Sequence, residues 1–273
     1  MATEPKLTNQ INHYINNLSL DDLTIQPMHV YGYTLTYQHI DILKPLFQQY
    51  FALHQQAIPK HIHQVWIGPN KPPWVWINSF RQQFMAQHPD WQYTLWREED
   101  IAGLTLINRQ QYQQESGLAG KVDILRYELL YQFGGVYIDA DMQWLNDKSL
   151  DHLLEDVGTS GIFVGRENHM MLANSVIGAA AANPILALVM KVLQQSYQTT
   201  RQVMGLDPWQ STGPWLFSQV SLPFDITIYP QYYFYPVHWL QSRIGIDTTA
   251  FPDSYMIQYG YTTNGLAEVF NNL

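Results

Sequence analysis

The stretch that decides the fold is Gly120-Lys121-Val122-Asp123-Ile124-Leu125-Arg126-Tyr127-Glu128-Leu129-Leu130-Tyr131-Gln132-Phe133-Gly134-Gly135-Val136-Tyr137-Ile138-Asp139-Ala140-Asp141. The segment from Gly117 to Phe133, which runs into it, has the composition of a helix, and Gly134-Gly135 stands where glycine stops helices. Val136-Tyr137-Ile138 is a short apolar strand of the buried type, and it delivers the chain to Asp139-Ala140-Asp141. On an extended backbone, residues two apart project to one side, so both carboxylates are expected to face a single point. Two hard oxygen ligands at a strand end suit Mn²⁺ or Mg²⁺ that substrate phosphates also bind.

An Asp-X-Asp alone says little, because a chain with fifteen aspartates meets one about once by chance. What gives this one weight is the helix before it. Asp123 and Arg126 sit three apart and share a face. On an isolated helix they would be a solvated ion pair worth about 0.3–0.5 kcal/mol. Beside the paired aspartates they become candidates for a sugar hydroxyl and a phosphate.

Outward from this block the elements alternate. His61 to Ile67 is a β-branched run closed by Gly68-Pro69, and a helix through Trp76, Phe80 and Phe84 follows. Trp91 to Trp96 then alternates aromatic and polar residues, so strand, helix and strand predict a βαβ unit and a parallel sheet. Strands are expected at 161–165, 175–177, 226–229 and 255–259. A helix is expected at 185–197, opened by Asn183-Pro184. Residues 1–57 differ in character. They are polar, with helical apolar spacing at Leu7, Ile11, Tyr14, Ile15 and Leu18, and again at Ile40, Leu43, Leu46, Phe47 and Tyr50. The expected organisation is an N-terminal helical cap over 1–57 and a single domain over 58–273.

Composition narrows the function. The chain has 273 residues, a net charge of −9, only 14 Lys plus Arg, and no cysteine. No cationic cluster is present to neutralise a nucleic-acid backbone, so nucleic acid is not an expected partner. Zinc–thiolate sites and cysteine nucleophiles are excluded. The longest apolar stretch, Val176 to Met190, is broken by Asn183-Pro184 and falls short of the ~20 residues of a membrane span, so no transmembrane segment is expected. His61 and His63 alternate on a strand without a third ligand in reach, and are read as strand-surface residues.

Together, Ile58-Pro59-Lys60 to Gly68, Asp123-Ile124-Leu125-Arg126-Tyr127, and Gly134-Gly135-Val136-Tyr137-Ile138-Asp139-Ala140-Asp141 resemble glycosyltransferase family 32, the DXD sugar transferases. They are also similar to the catalytic domain of the large clostridial glucosylating toxins. The resemblance covers about residues 58–215. It implies an α/β fold of GT-A type, a Rossmann-like mixed sheet flanked by helices, and a metal-dependent, retaining transfer of a hexose from a nucleotide sugar, a UDP-sugar by preference. Carried over by position, Trp66 stacks on the base and Val65 offers backbone contacts. Asp123 and Arg126 hold sugar hydroxyls, Tyr137 lines the donor pocket, and Asp139 contacts ribose and sugar. Asp141 is the direct metal ligand with Asp139 beside it, Asn174 lies near the reaction centre, and Gly213 belongs to a loop near the diphosphate. A Trp face is a good platform for a base, and an Arg fork suits oxygen-rich ligands.

The family's C-terminal Tyr-X-Ile-His-His segment is replaced here by Tyr255-Met256-Ile257-Gln258-Tyr259, which leaves Gln258 or Asn264 as substitute oxygen donors. The expected acceptor is a glycan or protein hydroxyl. The expected setting is either the bacterial cytoplasm, with polysaccharide biosynthesis, or a host cytosol reached by a secreted effector. Two other classes stand beside this reading. One is a catalytically inactive nucleotide-sugar-binding protein. The other is a glycoside hydrolase, whose carboxyl groups must stand ~5–9.5 Å apart across the scissile bond and need no metal.

Overall fold

The computed structural model describes residues 4–54, 57–238, 241, 245–261, 264–266 and 268. Two helices, α1 (Glu4–Asn17) and α2 (Ile40–Leu53), bracket an antiparallel hairpin of β1 (Leu23–Met28) and β2 (Gly32–Tyr37). Of the residues their spacing marks, α1 buries Leu7, Ile11 and Ile15 and α2 buries Leu43 and Phe47, with Phe51 added to them; Tyr14, Ile40, Leu46 and Tyr50 are partly buried. The hairpin is a departure from the all-helical reading of this region. Pro27 sits inside β1, opposite Tyr33, and is tolerated because a two-stranded ribbon has no interior strand whose ladder it could break.

The main sheet contains β3 (His61–Val65), β4 (Gln92–Trp96), β5 (Gly135–Ile138), β7 (Ile162–Arg166), β8 (Leu172–Ala179) and β9 (Thr227–Tyr229). Its strand order is β4-β3-β5-β8-β7-β9. β3 runs parallel to both β4 and β5, as the strand–helix–strand reading predicts. The sheet is nevertheless mixed, because β8 runs antiparallel to its neighbours β5 and β7. A separate short pair joins β6 (Met142–Trp144) to β10 (Met256–Gln258). The helix between β3 and β4 spans 74–87 and passes through a π turn at Ser79–Phe84.

Three further helices cover the sheet: α3 (Leu118–Phe133), α4 (Pro184–Tyr197) and α5 (Pro214–Ser221). Asn183 caps α4 as its sequence predicts, accepting from the Ile185 amide at 3.0 Å. Gly134 closes α3 at φ +64°, and its amide reaches Leu130 O at 2.9 Å. Gly135 follows at φ +99°, where a Cβ would stand 2.4 Å from His61 O, so glycine alone lets β5 enter the sheet directly from the helix. α1, β2 and α2 contribute to the same apolar core as α3, α4 and α5, through Ile15, Tyr33 and Phe47 on one side and Ile124, Val189 and Phe217 on the other. Among the described residues, no helix is long and apolar enough to cross a membrane.

Candidate active site

Parallel strands β3 and β5 end side by side, and the chain leaving each of them lines a cleft of about 330 Å³. Crevices at the carboxyl ends of strands are where open α/β sheets bind ligands. β3 supplies Val65 and the residues after it, Trp66, Ile67 and Asn70. α3 supplies Asp123 and Arg126. β5 supplies Tyr137, and the turn beyond it Asp139 and Asp141. Asn174 comes from β8, and Trp209, Pro214, Gln258 and Tyr261 complete the wall. Every expected site residue except Gly213 therefore lines one cavity.

Arg126 organises the floor. It is 4% exposed, and its Nη2 lies 3.2 Å from Asp123 Oδ1 and 3.2 Å from Asp139 Oδ1. Nη1 donates to Asn174 O at 2.5 Å, and the guanidinium lies 4.7 Å from the centre of the Tyr137 ring. The planar fork thus binds three oxygen atoms from three elements while resting on an aromatic face, a geometry lysine cannot reproduce. Asp123 is 5% exposed. Its Oδ1 also accepts from Asn174 Nδ2 at 2.9 Å, and its Oδ2 from the Thr212 hydroxyl at 2.9 Å. Burial pushes its carboxyl up to about 6, against the opposing pull of Arg126 and the two neutral donors. Burial also raises Asp139, which Arg126 and the Tyr137 hydroxyl, donating at 2.7 Å, work to hold ionised.

Asp139 and Asp141 do meet at one cleft, but strand alternation is not what brings them there. Met142 N donates to Asp139 O at 3.1 Å, so Asp139-Ala140-Asp141 is a tight turn between β5 and β6. Asp141 is held by the C-terminal segment: its Oδ2 accepts from Tyr261 N at 2.7 Å and its carbonyl from Tyr259 N at 2.9 Å. Gln258 Nε2 lies 3.4 Å from Asp139 Oδ2, which places this side chain at the carboxylate pair. Asn264 is not at the pair, and donates instead to Tyr259 O.

The indole of Trp66 is half-buried. It donates to Asn70 O at 2.9 Å and meets the Tyr261 ring edge to face at 5.0 Å. Gly213 stands directly behind Asp123 rather than in the cleft wall, since a Cβ there would lie 2.8 Å from Asp123 Oδ2. The expectation for the histidine pair fails at His63, which is fully buried. Its Nε2 donates to Gly134 O at 2.8 Å, and its Nδ1 accepts from Trp96 Nε1 at 3.1 Å. Burial and the neighbouring His61 push it down to about 3, so it is a neutral core residue. Trp239 lies outside the described residues.

Sequence reasoning missed Tyr127 and Thr212 as neighbours of Asp123. The Tyr127 hydroxyl accepts from Asn174 Nδ2 at 3.1 Å and donates to Thr212 O at 3.1 Å. A signal for Tyr127 was available, because it lies four residues after Asp123 on the same helix. For Thr212, 89 positions away, the pointer was its place beside Gly213 in the loop that the resemblance sets near the diphosphate, which does not specify a contact with Asp123.

Among the described residues that line the cleft there are three aspartates and one cation, Arg126, already shared between two of them. A diphosphate entering such a site needs further positive charge. The donor set of two carboxylates and an amide suits a hard divalent ion that completes its shell with water or phosphate oxygens. Among the described residues no group of three or more His, Cys, Asp or Glu is placed to hold a metal ion.

Residues 75–158 match the model of the glycosyltransferase sugar-binding region containing the DXD motif, a span that includes Asp123, Arg126, Tyr137, Asp139 and Asp141. The chain therefore carries a DXD-type sugar-binding region, and the resemblance read from its motifs holds. It is 29% identical over 172 residues to inositol phosphoceramide mannosyltransferase 3 of Schizosaccharomyces pombe, covering 62% of this chain and 46% of that protein. It is 29% identical over 171 residues to mannosyl phosphorylinositol ceramide synthase CSH1 of Saccharomyces cerevisiae, covering 60% and 43%. The chain thus spans less than half the length of these relatives. Among solved structures, the PaToxG glycosyltransferase superposes with a TM-score of 0.44 at 18% identity, over 80% of this chain and 76% of that one.

Proposed function

We propose that the chain is a metal-dependent glycosyltransferase that moves a hexosyl group from a nucleotide sugar to a hydroxyl of a glycan or protein. One observation carries this reading: the residues of the matched sugar-binding region converge on a single cleft, with Asp139 and Asp141 on one turn and Asp139 joined through the buried Arg126 to Asp123. In this reading Trp66 and Val65 receive the base, while Asp123 and Arg126 receive sugar hydroxyls. Tyr137 packs beneath the donor, and Asp139 binds ribose and sugar. Residues 58–273 carry the site and residues 1–57 support it.

Mn²⁺ or Mg²⁺ would be held by Asp141 with Asp139. When bound, the ion supplies the positive charge that a departing diphosphate needs. The protein's own part is to fix the donor. Arg126 locks the Asp123 and Asp139 carboxylates in place, and Asn174 ties α3 to β8, so little rearrangement is required as charge develops. A retaining course fits the acids present. The three aspartates of the described cleft wall are all engaged in fixed contacts, and an inverting enzyme requires a dedicated base facing the acceptor.

The test is hydrolysis and binding of a panel of UDP-sugars and GDP-sugars, with Mn²⁺ or with EDTA, for the wild type and Asp141→Ala. GDP-mannose joins the panel because the relatives are named for mannosyl transfer. Metal-dependent turnover of one donor, lost in the variant, is the expected result. Saturable binding without turnover, also in the presence of candidate acceptors, would identify a binding protein instead. Turnover indifferent to EDTA would favour a hydrolase.

A further inference from the structure

We infer that Thr212 is a positioning residue for the donor site, its hydroxyl holding the Asp123 carboxylate in the direction from which it receives a sugar hydroxyl. The inference rests on the transferase reading of the same cleft. The two oxygens of Asp123 are held by different parts of the fold. Oδ1 is bound by Asn174 from β8 and by Arg126 from its own helix, whereas Oδ2 is met by Thr212, from the turn that leads into α5. The carboxylate plane is thereby fixed at both ends.

The Thr212 hydroxyl is fully buried and lies 2.9 Å from Asp123 Oδ2 and 3.0 Å from Pro208 O. A hydroxyl has one proton to donate, and here it has two acceptors. The charged carboxylate is the stronger acceptor and takes the proton. Oδ2 keeps a second lone pair, so an arriving substrate hydroxyl can donate to it while the Thr212 hydroxyl stays bound and fixes its direction. Gly213 makes this close approach possible, since any side chain there would press on Oδ2.

The turn itself is anchored from behind. Tyr127 donates to Thr212 O at 3.1 Å, Tyr33 of β2 donates to Gln210 O at 3.0 Å, and the Gln210 side chain donates to Tyr31 O at 3.0 Å. A plainly structural threonine would need only its bond to Pro208. The carboxylate contact in the cleft floor is what that simpler role does not explain.

The experiment uses the full chain and the donor that the wild type binds best. It compares wild type, Thr212→Val and Thr212→Ser by calorimetric donor binding, by steady-state kinetics and by thermal melting. Valine keeps the shape and removes the hydroxyl; serine keeps the hydroxyl. The expected result is a donor Kd and KM raised about 10- to 100-fold in Thr212→Val, the range for one lost hydrogen bond to a charged group. kcat should move much less, and Thr212→Ser should return to near wild type. Should the valine variant fail to fold, Thr212→Ala carries the same expectation. Wild-type affinity in the valine variant, or a serine variant as impaired as valine, overturns the inference. A wild type that binds no nucleotide sugar defeats the transferase reading itself and the inference with it, and that outcome is distinct from indifference to the substitution.

Discussion

Replacing Arg126 by Met retains the length and apolar stem of the side chain and removes the cation of the cleft floor. Its guanidinium lies 3.2 Å from both Asp123 and Asp139 and is almost wholly withdrawn from solvent, so neither acid has a substitute counter-ion among the described lining residues. Removing one partner of a buried ion pair costs about 3–5 kcal/mol, because the other charge remains buried. At roughly 2–3 °C per kcal/mol for a chain of this size, the melting temperature should fall by about 6–15 °C at pH 8. The cause has a pH signature. Burial already raises Asp123 from an ordinary 3.8 to about 6, so the native state holds a proton there that the unfolded state has released. Stability from such a group is present at low pH and is lost as pH rises through the folded value. Without Arg126 that value, and that of Asp139, climb further. The variant should therefore lose much less relative to wild type at pH 5, where Asp123 takes up a proton, than at pH 8. Urea unfolding at the two pH values measures this. An equal loss at both would mean that packing, not uncompensated charge, is what Arg126 provides, and the account of the floor would be wrong.

Two further outcomes follow from the geometry. His63 should show no titration between pH 5 and 8 in ¹⁵N-resolved NMR and should carry its proton on Nε2, because it donates to Gly134 and accepts from Trp96. An inflection near 6.5 would refute this. Gly213→Ala places a methyl group 2.8 Å from Asp123 Oδ2, a contact that must push the carboxyl aside. It should raise the donor KM about tenfold, as small misplacements of binding groups do, and an unchanged KM would separate Asp123 from donor binding.

Much of this architecture could be read from residues alone, wherever the signal was periodic or punctuated. The β-branched run at 61–67, the alternation at 91–96 and the Gly134-Gly135 stop all mark elements that the fold contains. What escaped was short or distant. β6 is three residues long and exists because β10 pairs with it from more than a hundred positions away, so no local pattern marks it. Asp139-Ala140-Asp141 follows a strand so closely that extended geometry looked natural. It turns because β6 runs away to meet β10, and a sequence window shows nothing of that. The histidines were misjudged for a related reason. Alternation places both on one face of β3, but which face the rest of the chain covers is a tertiary matter, here decided partly by Trp96 and Phe133. Asp123 and Arg126 were legible because their spacing follows from helix geometry, whereas Asp139 and Asp141 were legible as a motif although the geometry assumed for them was wrong. The contact of Thr212 with Asp123 was not legible, because folding alone brings its loop to that helix.

The β1–β2 hairpin has a consequence for how the chain could be divided. Tyr33 reaches Gln210, the Leu35 amide reaches Gln219 at 2.6 Å, Tyr37 reaches Val220 at 3.2 Å, and the Trp215 indole reaches back to Tyr33 O at 2.7 Å. These bonds span about 180 positions of sequence and hold the turn that faces Asp123. The first fifty residues are thus attached twice, once through the peptide bond near residue 57 and once, more extensively, through this lateral seam. A cut at that peptide bond would leave two fragments whose native partners are each other, so they should reassociate as a complementing pair. Deleting the first fragment outright would take a supporting wall away from the cleft floor.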